Sequence, residues 1–168
     1  MKVVSDIIKG LGAAMLLLAF LACEKPLQDE AVTARDEEEK EQQKTDTQMP
    51  DKIQITIGGK KLNVKIEKNS ATQALVGALR EASITYTASD YGGFEKVGAL
   101  GRSLPTSDTR ITTQPGEVIL YSGSQIVLFY GSNTWSYTRL GRIEYSSIEE
   151  LKSFLKAGEG DVSVTLSL

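Results

Sequence analysis

Apolar and polar residues alternate strictly through Lys52-Ile-Gln-Ile-Thr-Ile57 and again through Lys61-Leu-Asn-Val-Lys-Ile66, with Gly58-Gly59 just after the first run. Period-two patterning on both sides of Gly-Gly predicts a β-hairpin with one buried face. The period then changes. Ala71, Ala74, Leu75, Ala78, Leu79 and Ala82 recur at helical spacing, and Ser70-Ala-Thr-Gln73 resembles a capping box, which predicts a helix over residues 71–82 laid on the sheet. Residues 83–88 read as a further strand. Residues 116–143 form the centre of the pattern. Two short runs of β-branched, Leu and aromatic residues, 118–121 and 126–130, flank Ser122-Gly123-Ser124. They are too short for helices and predict a buried hairpin, with a third strand over roughly 138–143. Ser147-Ile-Glu-Glu150 is a second capping signal before the apolar face Ile148, Leu151, Phe154 and Leu155, and Gly158 or Gly160 should stop that helix. Residues 162–168 alternate as a last strand. The whole reads as mainly β, a small closed barrel capped by two short helices, with a pocket beside the central hairpin.

Residues 89–110 break the pattern. Gly92, Gly93, Gly98, Gly101 and Pro105 stand there around Tyr91 and Phe94. Such a stretch is expected to turn tightly or bring backbone close to a neighbour.

Charge divides the chain in a way the net value of −3 conceals. Residues 24–51 hold ten acidic against four basic residues, −6, with almost no apolar content, and are expected as a solvated tether. Residues 52–168 carry 13 basic and 11 acidic residues, +2, without a basic stripe, which argues against nucleic acid as a partner. Ahead of the tether, Lys2 and Lys9 precede an unbroken apolar or small run over 11–22. Twelve residues is short for a membrane span and right for the core of an export signal over residues 1–22. The run ends Phe20-Leu21-Ala22-Cys23, and Cys23 is the chain's one cysteine. This resembles the lipobox of bacterial lipoproteins, which implies lipidation at Cys23, attachment to a membrane, and an extracytoplasmic place in the bacterial cell envelope. The expected layout is therefore a signal peptide (1–22), a lipidated Cys and acidic tether (23–51), and a β-barrel domain (52–168).

The run Asp90-Tyr-Gly-Gly-Phe-Glu-Lys-Val-Gly-Ala-Leu-Gly101, then Ser103-Leu-Pro105, Pro115-Gly-Glu-Val-Ile-Leu-Tyr121 and residues 125–143, resembles a bacterial cyclophilin-like family. The resemblance spans essentially residues 52–168 and implies an eight-stranded barrel with two helices. Cyclophilins proper isomerise X–Pro bonds with an arginine in a hydrophobic groove. Gly123-Ser124-Gln125 resembles the Gly-Ser-Gln of that groove, and Leu140-Gly141-Arg142-Ile143 its later Phe-Gly-Lys-Val. The His-Arg pair that carries the catalytic arginine has no counterpart, because the chain has no histidine. Arg102 and Arg139, acting with Gln125, are the remaining candidates for a degenerate isomerase.

The missing histidine also excludes His-ligated zinc, the Ser-His-Asp triad and the Cys-His pair. Phosphate-loop and dinucleotide signatures are absent, and no cofactor or metal is expected. Ser153-Phe-Leu-Lys156 matches Ser-x-x-Lys without its companion motifs and reads as part of an amphipathic helix. The carboxylate pairs Asp90 with Glu95 and Glu144 with Glu149 read as solvated surface. Phe129 and Tyr130 read as core. That leaves Tyr91, Phe94, Trp135 and Tyr137, with Gln125 and Asn133 for hydrogen bonds, as the candidate ligand-binding set. The leading expectation is a binding module for a small ligand or peptide. The alternatives are a prolyl isomerase and a structural interaction domain of the envelope.

Overall fold

Gly58 and Gly59 both adopt positive φ, 56° and 79°, so the chain reverses in two residues between β1 (Lys52–Ile57) and β2 (Lys60–Ile66). L-residues with side chains resist that geometry, and glycine does not. The computed structural model describes residues 48–168. The expected signal peptide, Cys23 and nearly all of the acidic tether lie outside those residues.

The remaining elements are α1 (Ser70–Glu81), β3 (Ile84–Tyr91), β4 (Glu95–Ala99), β5 (Thr109–Thr112), β6 (Glu117–Tyr121), β7 (Gln125–Phe129), β8 (Thr134–Ile143), α2 (Ile148–Leu155) and β9 (Val162–Ser167). The strands follow the order β2-β1-β9-β3-β4-β7-β6-β8-β5, all antiparallel. A further pairing of β2 with β8 closes the first eight into a barrel, and β5 is added outside the ring on β8. The closing seam is short, with Val64 opposite Ile143, Lys65 opposite Arg142 and Ile66 opposite Gly141. A side chain at Gly141 would run into the Lys65 carbonyl, so glycine is what lets the seam close.

One apolar face of each strand fills the barrel. Ile55, Val64, Val118, Leu120, Ile126, Leu128 and Val164 are buried there, and α1 and α2 pack Leu75, Val76, Leu151 and Leu155 into the same core. The interior is packed with side chains, as in other small barrels.

Three expectations need correction. Residues 89–110 are not a single loop: β3 runs on to Tyr91, and both β4 and β5 lie inside the stretch. The α1 cap is Asn69, whose side chain accepts the Thr72 amide at 3.0 Å, while the Thr72 hydroxyl accepts the Asn69 amide at 3.1 Å. This is the reciprocal capping box, one residue earlier than Ser70 and Gln73. At α2, Ser147 accepts the Glu150 amide at 3.1 Å, and Lys156 in the left-handed region ends the helix ahead of both glycines. The Glu150 carboxylate turns instead to Ser146, accepting both its amide and its hydroxyl at 2.6 Å.

Candidate functional site

Runs 118–121 and 126–129 are apolar on both faces, so both faces need cover. One face is the barrel core. On the other, Ile119, Val127 and Phe129 join Tyr137 of β8 in a second buried cluster, backed by Phe94, Val97 and Ile111. Phe94 stacks on Phe129 with ring centroids 6.3 Å apart, Phe129 meets Tyr137 edge-on at 5.8 Å, and Tyr137 meets Tyr121 edge-on at 6.0 Å. This aromatic chain lies on the outer surface of β4, β7 and β6. Strand β5 flanks it, because Ile111 is registered opposite Trp135 and Thr109 opposite Tyr137.

The cluster does not fill the surface it sits on. A cleft of about 490 Å³ remains, lined by Tyr91, Glu95, Val97, Tyr121, Gln125, Val127, Asn133, Trp135 and Tyr137. Strand register explains the grouping. Tyr91 is opposite Glu95, Val97 opposite Val127, and Gln125 opposite both Ala99 and Tyr121, so these positions share the outer face. Trp135 and Tyr91 form the rim, 53% and 67% exposed. Asn133 donates to the Tyr137 hydroxyl at 3.0 Å and fixes that ring.

Of the residues singled out in the sequence, the structure brings Tyr91, Gln125, Asn133, Trp135 and Tyr137 around this one cleft. Phe94 lies beneath it as packing. Neither arginine reaches it. Arg139 gives its Nε to the Glu117 carboxylate at 3.1 Å, and Arg102 stands exposed in the turn after β4. Trp135 and Tyr137 sit on β8, which begins at Thr134, rather than in a loop before it.

The carboxylates are the largest departure from expectation. Asp90 and Glu95 are not a solvated pair. They lie on opposite faces of the β3–β4 ladder, Asp90 opposite Lys96 and Glu95 opposite Tyr91. Asp90 meets the fully buried Lys96 ammonium at 2.8 Å and accepts the Gly158 amide at 3.1 Å, the Gly160 amide at 2.9 Å and the Tyr130 hydroxyl at 3.0 Å. Lys96 also donates to the Gly160 carbonyl. Burial alone would raise the Asp90 pKa. The hydrogen bonds, led by that from Lys96, outweigh it and hold the group at about 2.

Glu95 has the opposite surroundings. It is 5% exposed, and its Oε2 has no hydrogen-bond partner. Burial lifts its pKa from 4.5 to about 7. The phenols beside it respond. Burial and then the Glu95 charge raise Tyr137, and Tyr130 is pushed up to about 12 by burial, its bond to Asp90 and the charges of Asp90 and Glu95. Sequence reasoning missed Glu95, Val97, Tyr121 and Val127 as lining residues. For Tyr121 and Val127 the signal was present in the two-faced apolar runs. Glu95 gave none, because a Glu beside a Lys in a glycine-rich stretch looks like surface.

The described residues thus form an antiparallel eight-stranded barrel with a packed interior and a cleft on its outer wall. The sequence model of the cyclophilin-like family matches residues 55–167, and the chain belongs to that family. Among solved structures, a hypothetical protein from Archaeoglobus fulgidus, determined in solution, is 17% identical with a TM-score of 0.53, over 71% of this chain and 95% of that one. It shares the fold. No curated protein matches the sequence.

Proposed function

We propose that the chain is a lipid-anchored, extracytoplasmic binding module of the bacterial cell envelope, held at a membrane through Cys23, whose outer-wall cleft takes a small ligand or a peptide side chain. The observation that supports binding is the cleft itself: aromatic and aliphatic walls, an open rim at Trp135 and Tyr91, and Gln125, Asn133 and Glu95 as convergent polar groups. That combination is what small-ligand sites have. Prolyl isomerisation by the mechanism of cyclophilins proper needs a cation aimed at the prolyl amide. Gln125 lines the cleft, but no arginine or lysine is among its lining residues. Binding without isomerisation is therefore the favoured reading.

Ligand-observed NMR with a chemically mixed fragment set tests it on the full chain. Fragments should bind, and Trp135→Ala should weaken them about tenfold by removing a rim aromatic, a loss near 1.4 kcal/mol. A protease-coupled assay on a proline peptide should show no acceleration. Failure of every fragment to bind, or acceleration by the wild type, overturns the reading. The anchor is tested separately, by growing cells with labelled palmitate. Wild-type protein should carry label and Cys23→Ala should not; equal labelling of both would exclude lipidation at Cys23.

A further inference from the structure

The β3–β4 hairpin carries two carboxylates that the fold treats in opposite ways. Asp90 is given an ammonium, two amides and a hydroxyl. Glu95, five residues on, is more deeply buried and has an oxygen with no partner at all. An unpaired buried carboxylate is costly, and native proteins rarely leave one without a reason. The Glu95 side chain nevertheless lines the open cleft, so a group entering there meets its carboxyl.

The walls specify what that partner is. Tyr91, Tyr121, Trp135 and Tyr137 surround the cleft with aromatic rings, and neither lysine nor arginine is among the lining residues to neutralise Glu95. Aromatic faces attract cations, and the attraction strengthens where water is excluded. A carboxylate at the floor and rings around it together select a positive charge carried on an apolar stem.

We propose that the cleft is a site for an organic cation, an alkylammonium or guanidinium group paired with the Glu95 carboxylate and faced by Tyr91, Tyr121, Trp135 and Tyr137. This rests on the binding-module reading of the same cleft and names the ligand class. The cation is either a free amine or the basic side chain of a peptide. The titratable groups that line the cleft with Glu95 are the phenols Tyr91 on β3, Tyr121 on β6 and Tyr137 on β8, while Tyr130 after β7 lies on the opposite face, bonded to Asp90, and is near enough to feel the Glu95 charge. Lys96, the neighbour on β4, faces the barrel interior and is committed to Asp90. Glu95 thus governs the pH dependence. Its ionisation near pH 7 makes the site strong for cations above that pH and weak below it.

The chain has one tryptophan, Trp135, and it sits on the rim, so its fluorescence reports occupancy directly. The full chain is titrated with agmatine, n-butylammonium and capped Ala-Lys-Ala, and with 1-butanol and capped Ala-Pro-Ala as neutral controls. The cations should give saturable changes at pH 8 and 1-butanol none. Affinity should fall about tenfold from pH 8 to pH 6, following the ionised fraction of a group titrating near 7. Glu95→Gln, checked for its fold by circular dichroism, should bind at least tenfold more weakly at pH 8 and lose the pH dependence. The wild-type pH profile stands even if that variant does not fold. Tighter binding of the peptide than of agmatine identifies a polypeptide side chain as the natural cation, and the reverse order a free amine. Binding of capped Ala-Pro-Ala with none by the cations overturns the cation assignment and leaves a binding cleft. Affinity that rises as the pH falls also overturns it, because a protonated Glu95 would then be the donor. No response to any probe overturns both.

Discussion

Glu95 and Asp90 impose opposite pH dependences on stability. Unfolded, the Glu95 carboxyl titrates near 4.5, and folded near 7. Below pH 4.5 both states are protonated and burial has no electrostatic penalty. Between about 4.5 and 7 only the unfolded state ionises, so stability falls across that window, by about 3 kcal/mol at 1.36 kcal/mol per pH unit. Glu95→Gln should flatten this fall in urea melts taken from pH 4.5 to 8, and an unchanged slope would show that Glu95 is not the group responsible. Asp90 goes the other way. Its folded pKa of about 2 lies below the ordinary 3.8, so it stabilises the fold above about pH 4 and the contribution is lost as the pH drops toward 2. Asp90→Asn would strand Lys96, which is fully buried, and should cost about 3–5 kcal/mol. Replacing Lys96 by Met in the same chain should restore most of that loss. Equal instability of the single and double variants would show that the pair is not what matters.

At the scale of elements, sequence pattern was most informative where one periodicity held over a whole segment. The β1–β2 hairpin, α1, the β6–β7 hairpin and β9 were legible because their apolar positions repeat at period two, at 3.6, or in short two-faced runs. Strand β4 was not. Its five residues, Glu95-Lys-Val-Gly-Ala99, place a lysine inside the barrel and a glutamate beneath the cleft, so polarity marks neither face. Gly98, which as a strand residue looks out of place, is required by packing: a Cβ there would collide with the Thr87 carbonyl and the Tyr86 ring. Gly98→Ala should therefore destabilise by about 1–3 kcal/mol, as overpacking does. A melt unchanged from wild type would mean that β3 and β4 can separate freely. The helix cap was misplaced by one position because Asn69 and Ser70 are both good caps. Asn69 takes the role and also donates to the Arg139 carbonyl at 2.7 Å, tying α1 to β8. The candidate site was half legible. Its aromatic rim stood out among polar neighbours, whereas its acidic floor depends on register that only the folded ladder defines.

Across the whole molecule, β9 lies between β1 and β3. Ile55 is registered with Leu166 on one side, and Tyr86 with Val164 on the other. The first and last strands of the barrel are thus neighbours, and the ring has a gap until the last has been added. Pairings this distant in sequence slow folding, because the chain must close a long loop before any contact rewards it. For a polypeptide emerging vectorially, the domain cannot complete itself until Ser167 has been synthesised. Until then the ring stays open, with the edges of β1 and β3 that β9 will join left unpaired.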